Sequence, residues 1–384
     1  MRHHLSPGAA TAGLSTHPDG LGTRPVSRRV GAWVRYGPRP IEDTEIWFAI
    51  ENYGAAILQP WEIAAAQRLK SARPDMLVLC YKCLSSTRSY EPGPIFSSGV
   101  SYREASRDAP EWFARRLGGS RIEWNTYPRH WQMTVWDADY QNRWCENVVA
   151  ELERSPWDGV MADNDIFDDY YGLLPPIEGA CSMADIRASL DDFVPLAGER
   201  LNDIGKLLVP NIAESRRDPG RWRRHASYGG GFEEVWLAWD ADHYLDAPAA
   251  RAQCDEVAGP GFTIMRTATD GSNNHKNFTY GLAAFWIFGG GCGGAFTATG
   301  HDDYSVTPFI PQLNWDLGVP LEKPRRQGNG WCRAFTGGWA AANFNATPRR
   351  TIRFTVPPGL TAVDGSPAPH KLTLGAHEGV LYRR

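Results

Sequence analysis

From Val30 onward, short runs of β-branched, aliphatic or aromatic residues alternate with longer stretches in which apolar positions recur every three or four residues. Runs of the first kind predict strands, and the 3.6-residue recurrence predicts helices packed on them. Eight strands are expected: "VGAWVRY" (30–36), "AAILQ" (55–59), "MLVLCYK" (76–82), "DGVMAD" (158–163), "KLLVPNI" (206–212), "GGFEEVW" (230–236), "FTIMR" (262–266) and "GAFTA" (294–298). Between them, "WEIAAAQRLKSAR", "ADYQNRWCENVVAELER", "MADIRASLDDFVPLAGERL" and "HKNFTYGLAAFWIF" predict helices. In the second of these, Trp144, Val148, Val149 and Leu152 make one apolar stripe. Eight alternating β and α units fit an α/β fold, the (β/α)8 TIM barrel.

Two stretches depart from the alternation. About 75 residues (83–157) separate the third and fourth strands, where a βα connection usually takes ~2 to 6. The insertion, about residues 84–138, leaves the C-terminal end of a strand, the face on which barrels carry their active sites, so it is expected to form a cleft wall or a lid. After about Asp302 the chain turns to Gly/Pro punctuation and short runs such as "AFTGGWAAANF", "RTIRFTVP" and "HKLTLGAHEGVLYR". These predict a small antiparallel β unit. The expected organisation is a disordered leader over 1–29, a catalytic barrel over 30–305 and a C-terminal β domain over 306–384.

Composition narrows the partners. Forty basic residues against 44 acidic ones, dispersed along the chain, leave no basic stripe for a nucleic acid or an anionic membrane. No stretch approaches the ~20 apolar residues of a membrane helix, and the first thirty residues hold no apolar run of signal-peptide length, so the compartment stays open between the cytoplasm, the default, and export by another route or from a different start. A neutral or polar small substrate fits better. Sixteen tryptophans are many for 384 residues, and such rings suit cores and sugar-stacking surfaces alike. Seven cysteines include one close pair, Cys80 and Cys83, which would face opposite sides of a strand. With no second pair at zinc-site spacing, neither a metal nor a disulfide framework is indicated. G-x-S-x-G, H-E-x-x-H and G-x-G-x-x-G are absent, and "FGGGCGG" (288–294) lacks the Lys-Ser/Thr of a phosphate loop and precedes a strand. No cofactor is expected.

The richest acidic stretch is "DGVMADNDIFDDYYG" (158–172). As the end of a barrel strand it carries Asp163 and Asn164 into the catalytic mouth, with Asp158 at the opposite rim and Asp165, Asp168 and Asp169 beyond, in a solvated loop or rim. Phe167 breaks the acidic alternation of a calcium loop, and its glycine is missing. Glycoside hydrolysis gives a better reason for a strand-end aspartate, because it pairs one carboxylate that attacks or activates water with another that protonates the leaving oxygen. "YGGGFEEVW" places Glu233 four residues after Gly229, just as Asp163 follows Gly159, so Glu233 is the expected acid. Glu234 is the alternative, since a shift of one residue reverses the face. Lys82, Asn211, Arg266 and Asp302 near other strand ends, with Trp131 and Trp136 in the insertion, are expected to contact sugar, although each could equally pack or pair internally. A non-catalytic carbohydrate-binding barrel, and a barrel lyase or isomerase, are the rival readings.

Four stretches resemble a known family, the hypothetical glycosyl hydrolase barrels related to endo-α-1,4-polygalactosaminidase-like proteins: "PEWFARRLGG", "WDADYQNRWCENVVAEL", "WDGVMADN" and "IPQLNWDLGVPLEKPRR". The resemblance runs from about Gly31 to the C-terminus. It implies an oligo- or polysaccharide substrate, with Asp163 matching the family's fourth-strand carboxylate and Glu233 the glutamate closing its sixth strand. Where that motif usually reads Asp-Gly-Gly, this chain has Tyr228-Gly229-Gly230, which leaves Glu233 and Glu234 both open.

Overall fold

The computed structural model describes residues 29–37, 39–289, 293–300, 303–347 and 349–384; the leader expected over 1–29 lies almost wholly outside them. In chain order the elements of the barrel are β1 (Ala32–Arg35), α1 (Asp43–Asn52), β2 (Ala55–Leu58), α2 (Ile63–Ala72), β3 (Leu77–Cys83), β4 (Ser86–Arg88), α3 (Tyr102–Asp108), β5 (His130–Gln132), α4 (Ala138–Leu152), β6 (Gly159–Asp165), α5 (Met183–Asp203), β7 (Leu207–Ile212), α6 (Arg221–His225), β8 (Gly230–Glu233), α7 (Ala247–Glu256), β9 (Phe262–Thr269), α8 (Lys276–Gly289) and β10 (Gly294–Gly300).

One eight-stranded parallel sheet runs β1-β2-β3-β6-β7-β8-β9-β10. Its two ends meet: Gly31 bridges Phe296, and the Phe296 N–H donates to the Val30 carbonyl at 2.6 Å. The chain is thus a (β/α)8 barrel, and all eight expected strands lie in it. Their near-continuous apolar runs, such as Ala55–Leu58 with every residue buried, follow from having the barrel interior on one side and helices on the other.

Helix α4 shows how the helical layer is fastened. The Asp137 carboxylate accepts from the Asp139 and Tyr140 N–H groups and caps its start, and Trp144, Val148 and Leu152 bury one face. Val149 lies at the edge of that stripe, half-buried.

The insertion after β3 is anchored rather than loose. β4 and β5 pair antiparallel, with Thr87 opposite Trp131. Trp144 Nε1 donates to the Cys83 carbonyl at 2.9 Å, and the Tyr140 hydroxyl to the Leu84 carbonyl at 2.7 Å. A Cβ on Gly99 would stand 2.3 Å from the Trp144 ring, so only glycine lets the insertion lie this close to α4.

Beyond the barrel come β11 (Arg325–Gln327), β12 (Gly330–Ala334), β13 (Gly338–Asn343), β14 (Ile352–Thr355), β15 (Lys371–Leu374) and β16 (Glu378–Arg383). They form antiparallel sheets of order β11-β12-β13-β16 and β14-β15. Helix α8 is buried almost all round because it has the barrel on one side and β13 and β16 on the other. Among the described residues, no helix is long and apolar enough to cross a membrane.

Candidate active site

Asp163 lies near the C-terminal end of β6, at a place where the ladder to β7 slips. Ala162 is level with Pro210 and Asp165 with Ile212, so one extra residue is accommodated. Asn164 takes up the slack at φ 68°, a conformation asparagine adopts more readily than most residues. Its side chain is tied down on both sides: Nδ2 donates to Cys83 Sγ at 3.2 Å, and the Tyr171 hydroxyl donates to Oδ1. The Ser85 hydroxyl holds its carbonyl at 2.8 Å.

Around this bulge the polar groups converge on two carboxylates. Asp163 Oδ2 accepts from the Tyr81 hydroxyl at 2.5 Å, and Oδ1 accepts from Asn211 Nδ2 and from the Asn164 N–H, both at 2.9 Å. The same Asn211 nitrogen donates its other proton to Glu234 Oε2 at 2.7 Å. Glu234 Oε1 accepts from the Tyr304 hydroxyl. Tyr36 stacks on Tyr304 with ring centres 4.2 Å apart and leans on Tyr81 at 5.0 Å, closing an aromatic floor beneath the pair. Burial pushes the Asp163 carboxyl above the ordinary carboxylate range; the Glu234 charge adds to this, and the Tyr81 and Asn211 hydrogen bonds oppose it only in part. Both residues are mostly buried yet keep some exposure to the mouth.

Glu233 points the other way. It is 3% exposed, accepts from the Val235 N–H at 3.0 Å and lies beside Gln253 of α7. The cause is a single step in the ladder. Gly159 is level with Leu207, but Gly229 is level with Leu208, so equal counts from the two glycines end on opposite faces. Asn211 is level with Phe232, and the side chain two further on, Glu234, shares its face.

Other expected residues are distributed differently from the sequence reading. Lys82 alternates with Tyr81 and faces the helices, where Nζ bonds Glu151 Oε2 at 2.6 Å and the Phe96 carbonyl at 2.5 Å; this corrects its expected place in the mouth. Arg266 reaches the mouth but grips its frame: Nη1 bonds the Glu234 carbonyl at 3.1 Å, Nη2 the Gly300 carbonyl at 2.5 Å and Nε the Thr299 hydroxyl at 2.7 Å. Trp131 packs beside Tyr102, and Trp136 lies over Gly179. Asp302 is outside the described residues.

Among the aspartates, Asp158 anchors the strand entry through Lys70 and the Val78 N–H, both at 2.9 Å. Asp168 pairs with Arg217, and Asp169 accepts from the Leu173 and Leu174 N–H groups. Asp165 is not solvated: it is fully buried between Arg221 and His225.

Sequence reasoning passed over Tyr36, Tyr81, Tyr304 and Tyr171. Tyr81 was the recoverable one, because strand alternation turns it inward as soon as Lys82 turns out. Tyr171 extends the site along the insertion, stacking on Trp124 at 3.8 Å, a ring that also runs parallel to His130 at 5.7 Å.

Among solved structures, the chain is similar to AmyB, a noncanonic maltogenic alpha-amylase from Thermotoga neapolitana, with TM-score 0.54 and 9% identity over 92% of this chain and 98% of that one. A debranching enzyme from Nostoc punctiforme gives TM-score 0.52 and 11% identity over 93% and 98%. Aspergillus fumigatus Ega3 in complex with galactosamine gives TM-score 0.46 and 11% identity over 75% and 97%. At such identities the likeness is one of fold. No curated protein matches the chain. The profile of one family does match, over residues 70–339. That span contains both carboxylates and the insertion, and it covers most of the barrel: the chain belongs to hypothetical glycosyl hydrolase family 15.

Proposed function

We propose that the chain is a retaining glycoside hydrolase acting on an oligo- or polysaccharide, with Asp163 as nucleophile and Glu234 as general acid and then base. The observation that carries this reading is the single Asn211 nitrogen shared by the two carboxylates. Two oxygens held at 2.9 and 2.7 Å by one nitrogen stand less than ~6 Å apart, a closeness in keeping with the ~5–5.5 Å carboxyl separation of retaining enzymes rather than the ~6.5–9.5 Å of inverting ones.

Asp163 has three donors, Tyr81, Asn211 and the Asn164 N–H, against two on Glu234. The Tyr304 hydroxyl can also accept a proton held on Glu234. The fuller set of donors suits Asp163 to the nucleophile's role and leaves that of the acid to Glu234. Glu234 protonates the departing oxygen while Asp163 attacks the anomeric carbon, and a water activated by the deprotonated Glu234 then releases the sugar with its configuration retained. Tyr171, partly exposed and backed by the buried Trp124 ring, offers an aromatic surface near the pair, suited to a sugar ring.

A panel of polysaccharides and 4-nitrophenyl glycosides, run against wild type, Asp163→Asn, Glu234→Gln and Glu233→Gln, tests the assignment. Glu234→Gln should lose ~10²- to 10⁴-fold in kcat, and Asp163→Asn at least as much. Glu233→Gln should stay within about tenfold of wild type. Loss confined to the Glu233 variant would overturn the pairing, as would inverted product in an NMR time course.

A further inference from the structure

Arg88, at the end of β4 in the insertion, reaches back over the barrel mouth. Its Nη2 donates to the Tyr81 hydroxyl at 2.9 Å, and its guanidinium lies 5.2 Å from the centre of the Tyr81 ring. Nη1 faces Glu91 Oε1 at 3.3 Å, and Glu91 is itself fixed by the Ser97 N–H at 2.9 Å and the Ser97 hydroxyl. The side chains of Arg88 and Glu91 are only 12% and 5% exposed. A guanidinium held this way by Glu91 cannot swing out to water, and its second arm acts on the next group inward. That group is the Tyr81 hydroxyl, which passes its own proton toward Asp163 at 2.5 Å.

We propose that Arg88 is a positioning residue for the reaction: through the Tyr81 hydroxyl it fixes the Asp163 carboxylate in the mouth and balances its negative charge. This rests on Asp163 being the nucleophile. The groups around Asp163 come from several elements: Tyr81 and Cys83 from β3, Arg88 from β4, Tyr171 from the loop after β6, Glu234 after β8 and Tyr36 after β1. Burial and the Asp163 charge keep Tyr81 protonated, so it stays a donor. Burial and Glu234 raise the Asp163 carboxyl, while Tyr81 and Arg88 act in the opposite sense. The insertion therefore does more than wall the cleft. It completes the charge balance of a carboxylate carried by the barrel.

The test is a carboxyl-¹³C NMR titration of the full chain labelled at aspartate, with Asp163→Asn identifying the resonance. In Arg88→Met and in the isosteric Tyr81→Phe, the Asp163 midpoint should rise by about 1 pH unit. The double variant should rise no further than the larger single one, because one path carries both effects. Arg88→Lys keeps the charge without the fork and should fall between wild type and Arg88→Met. On whichever 4-nitrophenyl glycoside wild type cleaves, Arg88→Met should lose about 10- to 100-fold in kcat with KM within about twofold.

A midpoint unmoved in Arg88→Met, or additive shifts in the double variant, would overturn the proposal. An unmoved midpoint with activity abolished by Asp163→Asn would sink the role of Arg88 alone. Undiminished activity in Asp163→Asn would sink the catalytic reading, and the positioning role with it.

Discussion

Glu233 is a buried carboxyl that burial pushes up to about 7, with the Val235 N–H giving only partial relief. A folded value above the ordinary one near 4.5 means that the unfolded chain releases this proton first. The side chain therefore costs no stability below pH ~4.5, and costs progressively more up to pH ~7. Glu233→Gln keeps an oxygen for the Val235 N–H and removes the charge, so it should be close to neutral in Tm at pH 4.5 and stabilising at pH 8, by at most about 3 kcal/mol. Thermal melts of the two proteins across that range check this; a stability gain that is flat with pH would contradict it. The neighbouring Glu234 should behave oppositely, tolerating Gln in stability but not in turnover. Asp163 was legible in the sequence because a strand end alone marks it. The choice between Glu233 and Glu234 was not, because it depends on how Gly229 lines up with Leu208 of a different strand, and one chain's residue count carries no such information.

Among the elements, β6 does the most for the site, and its end is clamped from outside the barrel. Asp165 is bound by Arg221 Nη2 and by His225 Nδ1, each at 2.5 Å, while His225 Nε2 meets Asp191 of α5 at 2.7 Å. Burial pulls the His225 ring down, but the Asp165 charge and the hydrogen bonds that the ring donates to Asp165 and Asp191 outweigh it and hold the ring above its ordinary value. A raised imidazole contributes stability that is complete below pH ~6.5 and is lost as pH rises through the folded value. Removing it in His225→Gln should therefore lower Tm more at pH 6 than at pH 9, as melts at the two pH values would show. An equal loss at both would mean that the ring is neutral. The eight strands and the α4 stripe were readable because each is a local period. The bulge at Asn164 was invisible for the opposite reason: it exists only as a mismatch between β6 and β7. The clamp is equally non-local, joining residues 165, 191, 221 and 225.

On the scale of the molecule, the barrel and the C-terminal sheet share one helix. Gly379 of β16 lies so close to α8 that a Cβ there would stand 2.6 Å from the Tyr280 backbone. Gly379→Leu should lower stability by ~1–3 kcal/mol, in the range of overpacked interiors, and a Tm unchanged from wild type would contradict this close docking. The sequence hinted at the arrangement, since "HKNFTYGLAAFWIF" has too few polar positions for a helix with one face in water. What covers that face could not be read from the helix itself. The barrel's interior offers a last consequence. β6 and β8 are not neighbours; β7 runs between them, and its Asn211 holds one acid on each side. The gap between the acids is therefore set by a rigid planar amide rather than by the compliance of the surrounding packing. Strands can shift and the rim can flex, yet the two carboxylates must travel together or let go of that nitrogen. Under the proposed pairing, the motion that the site tolerates is decided by one side chain.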